Sequence, residues 1–100
     1  MTKNISIADL QGLLADGGIN LVDVREADEF ATGHVPGAVN LPLSEFAGRY
    51  TELAADKSYH IICQMGGRSA QACAFLDAQG YDVTNVDGGT AAWTGNLEKK

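Results

Sequence analysis

The sequence predicts an α/β fold with a mostly parallel central sheet of about five strands and helices on both faces. Three observations indicate this class. Short apolar runs, which are typical of buried parallel strands, alternate along the chain with segments of helical periodicity. Glycines follow three of the helical segments, at Gly17, Gly33 and Gly80, where they can end a helix. The length of 100 residues suits one domain, which we place at residues 1–100.

The predicted elements alternate between strands and helices. The strands are residues 5–7, 19–24, 39–41, 58–62 and 83–86. The helical segments are residues 8–15, 26–32, 45–53, 69–79 and 90–93. The first strand is expected to be a short edge strand, and residues 35–38 form a turn that contains Pro36 and Gly37. The charged residues 98–100 are expected to form a solvated tail.

The first half of the chain is assigned from the spacing of its apolar residues. Leu10, Leu13 and Leu14 share one face of a helix, which predicts the helix over residues 8–15. Residues 19–24 are apolar nearly throughout, as a central parallel strand requires. These two segments therefore begin the alternation of helix and strand.

The second half follows the same alternation. Ser44 is expected to cap the helix over residues 45–53, because a serine oxygen can accept a hydrogen bond from the first helical turn. Residues 58–62 form the strand that ends at Cys63. The helix over residues 69–79 has apolar groups on most sides, which indicates that it is largely buried.

The composition argues against several classes of partner. The formal net charge of −6 disfavours binding to nucleic acid and to anionic membrane surfaces. The N-terminal residues have no apolar signal core, and no stretch approaches the length of a membrane span. Cys63 and Cys73 form no disulfide or zinc pattern, and no histidines and carboxylates stand at ligand spacing. We expect a cytoplasmic monomer without a metal site.

The loop after the fourth strand carries the strongest chemical signal. It consists of Cys63, Gln64, Met65, Gly66, Gly67, Arg68 and Ser69. Glycines permit a tight turn that aims backbone N–H groups inward, and the following helix adds the positive end of its dipole. Arg68 adds a permanent charge that can hold an anion. In such a cradle Cys63 is predicted to have a lowered pKa and to act as a nucleophile.

Cys63 and Arg68 of this loop each have a purely structural interpretation as well. A free cysteine at a strand end is often a small buried apolar residue, and an arginine is often paired with a neighbouring carboxylate. The glycines beside Cys63 favour the reactive interpretation, because ligand sites of open α/β folds lie where strands end at helix N-termini. The position of Arg68 inside the loop favours a role toward the anion.

Asp23 and Arg25 lie at the carboxyl end of a strand that should end at the same sheet edge as Cys63. They could support the site, with Asp23 beside the loop and Arg25 in substrate steering. The alternative is that Arg25 pairs with a carboxylate such as Glu29 and fixes residues 33–38. The structural role is favoured for Arg25, whereas the two roles are balanced for Asp23.

Five other side chains are assigned a role from their position. His34 is expected to stabilise its turn by a hydrogen bond, and His60 to be structural. Cys73 is expected to pack as an inert apolar residue rather than to act as a resolving thiol. Trp93 is assigned to the core. Met65 stands inside the loop and is expected on a rim that contacts the acceptor, the alternative being ordinary packing.

Four stretches together resemble the rhodanese family of sulfurtransferases in its single-domain form. They are residues 21–25 (Leu-Val-Asp-Val-Arg), 33–38 (Gly-His-Val-Pro-Gly-Ala), 63–69 and 88–93 (Gly-Gly-Thr-Ala-Ala-Trp). Each motif alone is moderately specific, but the four in this order and at these separations are strongly so. The resemblance covers residues 5–97 and implies a single rhodanese-like domain.

The resemblance implies a sulfur-transfer reaction. Cys63 would take sulfur from a donor such as thiosulfate, form a persulfide, and pass the sulfur to cyanide or to a thiol on a small molecule or a protein. Backbone N–H groups of residues 64–69 would stabilise the anionic sulfur, and Arg68 would hold the oxyanion end of the donor. Two half-reactions on one nucleophile predict ping-pong kinetics, and no organic cofactor is required.

Two other functions stay open at this point. Rhodanese-like domains that serve as binding or regulatory modules often lack the cysteine, so the intact loop argues against that role. Cdc25-type phosphatases and arsenate reductases of the same fold place five residues between cysteine and arginine, whereas four intervene here. The shorter loop makes a smaller ring of N–H groups, which suits a single sulfur better than a tetrahedral oxyanion.

Overall fold

A computed structural model describes residues 3–99 of the chain. Its strands are β1 (Lys3–Ile5), β2 (Leu21–Asp23), β3 (Val39–Asn40), β4 (Ser58–Ile62) and β5 (Asp82–Val86). Its α-helices are α1 (Ile7–Asp16), α2 (Ala27–Thr32), α3 (Phe46–Arg49) and α4 (Gly67–Ala78). Short 3-10 turns lie at Leu43–Glu45, Tyr50–Glu52 and Thr90–Ala92.

The five strands form one parallel sheet in the order β1-β5-β4-β2-β3. Val22 lies opposite Ile61, and Ile61 opposite Asn85, so β4 is central. Because the strands are parallel, the carboxyl ends of β2 and β4 meet at one edge, where Asp23 and Cys63 lie. The predicted α/β class with a five-stranded parallel sheet is confirmed.

Helices cover both faces of the sheet, as predicted, and each face has its own core. The core beneath α3 and α4 contains Val22, Val24, Leu41, Phe46, Tyr59, Ile61, Cys63, Ala72, Cys73, Leu76, Tyr81 and Val83. The core beneath α1 contains Ile7, Leu10, Leu21, Val35, Ile62 and Val86. Alternate residues of β4 enter opposite cores, because successive side chains of a strand point to opposite faces. Cys63 therefore lies on the α4 side.

The first strand lies earlier than the sequence predicts. Ser6 accepts a hydrogen bond from the backbone N–H of Asp9 at 3.1 Å, and this N-cap begins α1 at Ile7. Ile7 is buried in the helix rather than paired in the sheet. The prediction of a strand over residues 5–7 was wrong in its bounds because the capping serine was not recognised; the edge strand ends at Ile5.

The helix predicted over residues 45–53 is broken into α3 and two flanking 3-10 turns. Ser44 does not cap it, since its hydroxyl donates to the Glu26 carboxylate instead. Gly48 lies within α3, and a glycine costs about 1 kcal/mol relative to alanine in a helix interior. The predicted last helix over residues 90–93 is likewise a single 3-10 turn.

Two further predictions need correction. In α4 the buried residues are Ser69, Ala72, Cys73 and Leu76, whereas Ala70 and Ala74 are exposed, so the helix is half-buried rather than largely buried. Glu98 is not part of a free tail, because its backbone exchanges two hydrogen bonds with that of His34. Lys100 lies outside the described residues. None of the helices within residues 3–99 combines the length and apolar character needed to cross a bilayer.

Candidate active site

The Cys63 loop connects the carboxyl end of β4 to the first turn of α4. Gly66 has φ 109°, a conformation that favours glycine, and its carbonyl accepts the first helical hydrogen bond from Ala70. Helix α4 therefore begins at Gly67, two residues before the predicted start. The tight turn brings backbone N–H groups of the first helical turn back over the cysteine.

Two groups of the loop form hydrogen bonds with the sulfur of Cys63. The backbone N–H of Gly66 donates to Sγ at 3.0 Å. The hydroxyl of Ser69 lies 3.3 Å from Sγ and 3.1 Å from the Gly66 carbonyl oxygen. Since one hydroxyl has one proton, these two acceptors compete for it, and a thiolate is the stronger acceptor. Ionisation of Cys63 is therefore accompanied by donation from Ser69 to the sulfur.

These hydrogen bonds decide the pKa of Cys63. Burial is the largest single influence and opposes ionisation, since the Cys63 side chain is nearly inaccessible. The Ser69 hydroxyl and the backbone N–H groups of Ser69, Gly66 and Met65 together outweigh it, so the pKa of Cys63 is lowered. The direction agrees with the sequence prediction, and hydrogen bonds to the charged form are its cause.

The turn after β5 holds the Cys63 loop in position by hydrogen bonds to its backbone. Thr90 donates to the carbonyl oxygen of Cys63 through its backbone N–H at 2.8 Å and its hydroxyl at 3.1 Å. Ala91 donates to the carbonyl oxygen of Gln64 at 2.9 Å. A Cβ atom at Gly89 would lie 2.5 Å from the Cys63 oxygen, so only glycine fits there. These residues position the nucleophile, although sequence analysis assigned the segment only by resemblance; the paired glycines after a strand were the available signal.

Asp23 and Arg25 form a buried ion pair beside the loop. The Arg25 Nη2 and Nε atoms lie 3.0 and 3.1 Å from Asp23 Oδ2, and Arg25 also donates to the Gly33 carbonyl oxygen at 2.8 Å. A longer contact of 3.3 Å reaches the Gln64 side chain. Arg25 thus anchors Gly33, as its structural interpretation predicts, but the expected pairing with Glu29 was wrong because Asp23 lies nearer on the same strand end.

Arg68 does not point freely toward the cysteine. Its two terminal nitrogens donate to the two carboxylate oxygens of Glu29 at 2.6 and 2.9 Å. This correction to the expected anion-facing role has a simple cause: α2 places Glu29 within reach of the first turn of α4. From the sequence, Glu29 was expected as a partner of Arg25 rather than of Arg68, because residues 29 and 68 are distant in sequence and come together only in the folded chain.

An open, shallow cavity of about 320 Å³ lies over the cysteine. It is lined by Cys63, Gln64, Met65, Gly67 and Arg68. Met65 is 75% exposed, so it stands on the rim of this cavity rather than in a core. A small donor can therefore approach the sulfur from solvent past Met65 and Arg68.

The remaining candidates lie away from this chemistry. His34 is buried and its ring stacks on that of Phe30. Its Nδ1 atom is hydrogen-bonded to the carbonyl oxygen of Phe30 at 2.9 Å, as expected of a residue that stabilises the turn. Cys73 is fully buried in α4, and burial raises its pKa to about 12. His60 is half-buried on β4, and Trp93 packs partly buried against the α1 core. Within residues 3–99 no group of three or more potential ligands could hold a metal ion.

Comparison with known proteins agrees with this geometry. The rhodanese-like domain family matches residues 6–96 of the chain. A crystal structure of a rhodanese-like domain protein from Staphylococcus aureus superposes with a TM-score of 0.91 at 34% identity and covers 99% of both chains.

Two curated relatives carry names that describe an activity. A sulfurtransferase of Allochromatium vinosum is 41% identical over 95 residues, which are 93% of this chain and 89% of the relative. A thiosulfate sulfurtransferase of Pseudomonas savastanoi is 37% identical over 92 residues, which are 91% of this chain and 86% of the relative. These relatives support a sulfurtransferase role.

Proposed function

The chain belongs to the rhodanese-like domain family, and from this premise we propose that it is a sulfurtransferase that carries sulfur as a persulfide on Cys63. The observation that carries the proposal is the convergence of hydrogen-bond donors on Sγ, with Gly66 N–H at 3.0 Å and the Ser69 hydroxyl at 3.3 Å. Such donors stabilise negative charge on sulfur, which the nucleophile bears before the reaction and the persulfide bears after it.

In the first half-reaction the Cys63 thiolate attacks the outer sulfur of a donor. With thiosulfate, Cys63–S⁻ and S–SO₃²⁻ give Cys63–S–S⁻ and SO₃²⁻: one S–S bond forms, one S–S bond breaks, and sulfite leaves with the electron pair. The charge of −3 is the same on both sides. The name of the Pseudomonas relative supports thiosulfate as a donor.

In the second half-reaction an acceptor takes the outer sulfur. A thiolate R–S⁻ and Cys63–S–S⁻ give R–S–S⁻ and the free Cys63 thiolate, and cyanide gives thiocyanate in the same way. We place the acceptor at the rim around Met65, because that side chain is exposed beside the cavity. A protein thiol could reach this rim as readily as a small one.

The proposal includes the setting of the reaction. Cys63 and Cys73 are both free thiols, a state that the reducing cytoplasm maintains. We propose a cytoplasmic monomer that needs neither a metal nor an organic cofactor, since the thiolate and its hydrogen-bond donors are sufficient for both half-reactions.

The mass of the intact protein tests the proposal directly. Wild-type protein and the Cys63→Ala and Cys73→Ala variants are incubated with thiosulfate and, in parallel, with cysteine persulfide. We expect a gain of one sulfur atom, about 32 Da, in the wild type and in Cys73→Ala but not in Cys63→Ala. Cyanide should reverse it. Absence of added sulfur with both donors, in a folded protein, would overturn the proposal and favour a binding module.

A further inference from the structure

Two arginines lie at the Cys63 site, Arg68 within the loop and Arg25 beside it, and each is paired with one carboxylate. Arg25 pairs with Asp23 in the interior, and Arg68 pairs with Glu29 at the mouth of the site. Neither pair brings a net positive charge to the cavity. On a chain of net charge −6, a doubly charged donor such as thiosulfate therefore gains little from long-range attraction.

The Glu29 carboxylate is itself held in place. One of its oxygens accepts a hydrogen bond from the backbone N–H of Glu26 at 3.0 Å, as part of the capping box that begins α2. The hydrogen bonds from Arg68 and Glu26 lower the pKa of Glu29 to about 2. The carboxylate is therefore ionised at neutral pH, and it holds Arg68 as a neutral pair rather than as a free cation.

Arg68 nevertheless belongs to the site. It lines the same cavity as Cys63, and its side chain and that of Glu29 are each 35% exposed. A guanidinium has five N–H donors, of which Glu29 takes two. Glu29 thus leaves Arg68 able to touch a donor but cancels the charge that would favour an oxyanion.

We propose that Glu29 is a specificity-determining residue that acts through Arg68: by neutralising and positioning this arginine, it makes the site select thiol persulfides over oxyanion donors such as thiosulfate. The inference deepens the proposed Cys63 persulfide function and depends on it. The favoured step is Cys63–S⁻ plus R–S–SH giving Cys63–S–S⁻ plus R–SH. One S–S bond forms, one breaks with its electron pair going to the leaving thiolate, and the proton moves from the transferred sulfur to that thiolate.

The test compares two donors across a set of matched variants. Thiosulfate and cysteine persulfide are the donors, cyanide is the common acceptor, and kcat and KM are measured for each. Glu29→Gln removes the charge but keeps an oxygen that can accept the Glu26 N–H, so α2 retains its cap. Glu45→Gln is the control. Glu45 forms an equally short 2.6 Å pair with Arg49 on the surface, so this substitution removes the same charge away from the site.

We expect Glu29→Gln to shift the ratio of the two kcat/KM values toward thiosulfate by about tenfold, the effect of one charge-assisted contact, chiefly through a lower thiosulfate KM. The shift should shrink as salt is added, because the contact is partly exposed. The shift in the kcat/KM ratio should vanish in the double variant Glu29→Gln/Arg68→Gln. Glu29→Asp, which keeps the carboxylate, should keep the wild-type preference. Glu45→Gln should leave the ratio unchanged.

Two results would overturn the inference and leave the proposed function standing. An unchanged ratio of the two kcat/KM values in Glu29→Gln, whether both values stay the same or both fall equally, would make Glu29 a structural residue only. A shift of the same size in Glu45→Gln would trace the effect to overall charge. In each of these cases wild-type Cys63 still becomes loaded with sulfur, so the proposed function survives. Failure of both donors to load Cys63 in the wild type would overturn the function and the inference together.

Discussion

Cys63 and Cys73 are a natural comparison within one small core. Both belong to the same apolar cluster, and their side chains are 1% and 0% exposed. Their acidities nevertheless move in opposite directions: the pKa of Cys63 is lowered, and that of Cys73 is raised to about 12. Burial alone therefore does not determine whether a cysteine of this protein can react.

Hydrogen-bond donors make the difference between the two thiols. Cys63 lies where α4 begins, and the first N–H groups of a helix have no partner within the helix, so they are free to face its sulfur. Cys73 lies within α4, where backbone N–H groups are already bonded to carbonyls one turn earlier. The same desolvation that Ser69 and Gly66 overcome at Cys63 is unopposed at Cys73.

The largest expected effect is a selective alkylation of Cys63 in the native protein. Because pH 7 lies five pH units below the Cys73 pKa of about 12, a fraction of roughly 10⁻⁵ of Cys73 is thiolate at that pH. Cys63 also lines a cavity open to solvent. We expect iodoacetamide to modify Cys63 at least about a thousandfold faster than Cys73, as measured by peptide mass spectrometry.

Urea-unfolded protein is the control, since unfolding gives both cysteines a similar environment and should bring their rates together. Comparable labelling of the two cysteines in the folded chain would break the comparison, because it would show that donors at Sγ do not set reactivity here.

The part of the site that is local in sequence was predictable. An apolar strand followed by Cys63, two glycines and a helix specifies a strand-turn-helix, and that geometry alone aims N–H groups at the sulfur. Gly66 takes the positive φ that such a turn needs. The parallel five-stranded sheet was equally accessible, because alternating apolar and helical segments leave few other topologies.

The contacts between distant segments were not predictable in this way. Any of thirteen acidic residues could be the partner of Arg68, and only the folded chain brings Glu29 of α2 within reach of it. Arg25 was given the wrong carboxylate for the same reason, since both Asp23 and Glu29 stand within four residues of it. Side-chain pairing depends on backbone positions that the spacing of residues does not fix.

A smaller effect is expected when the Ser69 hydroxyl is removed. Ser69→Ala deletes the strongest of the groups that lower the pKa of Cys63 while desolvation persists, so this pKa should rise. Thiolate absorbance near 240 nm, followed against pH, measures the shift. The rate of alkylation below the pKa should fall by about tenfold in parallel.

Ser69→Thr is the matched variant, because it keeps a hydroxyl at the same position, and its titration should stay near that of the wild type. If Ser69→Ala titrates like the wild type, the backbone N–H groups alone stabilise the thiolate, and the contrast with Cys73 depends on helix geometry rather than on the serine.

The smallest expected effect is an opposite pH dependence of stability for the two alanine variants. The lowered pKa of Cys63 means that its thiolate stabilises the folded state, and that this contribution is lost as pH falls from about 9, the ordinary value, through the folded pKa. The raised pKa of Cys73 means the reverse: its thiol favours the folded state below pH 9, and this preference is lost as pH rises toward 12.

Urea unfolding measures both effects as differences in the free energy of unfolding. The excess of the wild type over Cys73→Ala should shrink by about 1 kcal/mol between pH 9 and 10, whereas its excess over Cys63→Ala should grow as pH rises toward 9. Other titrating groups cancel in each difference, so parallel curves for the two variants would mean that the cysteines share one electrostatic environment after all.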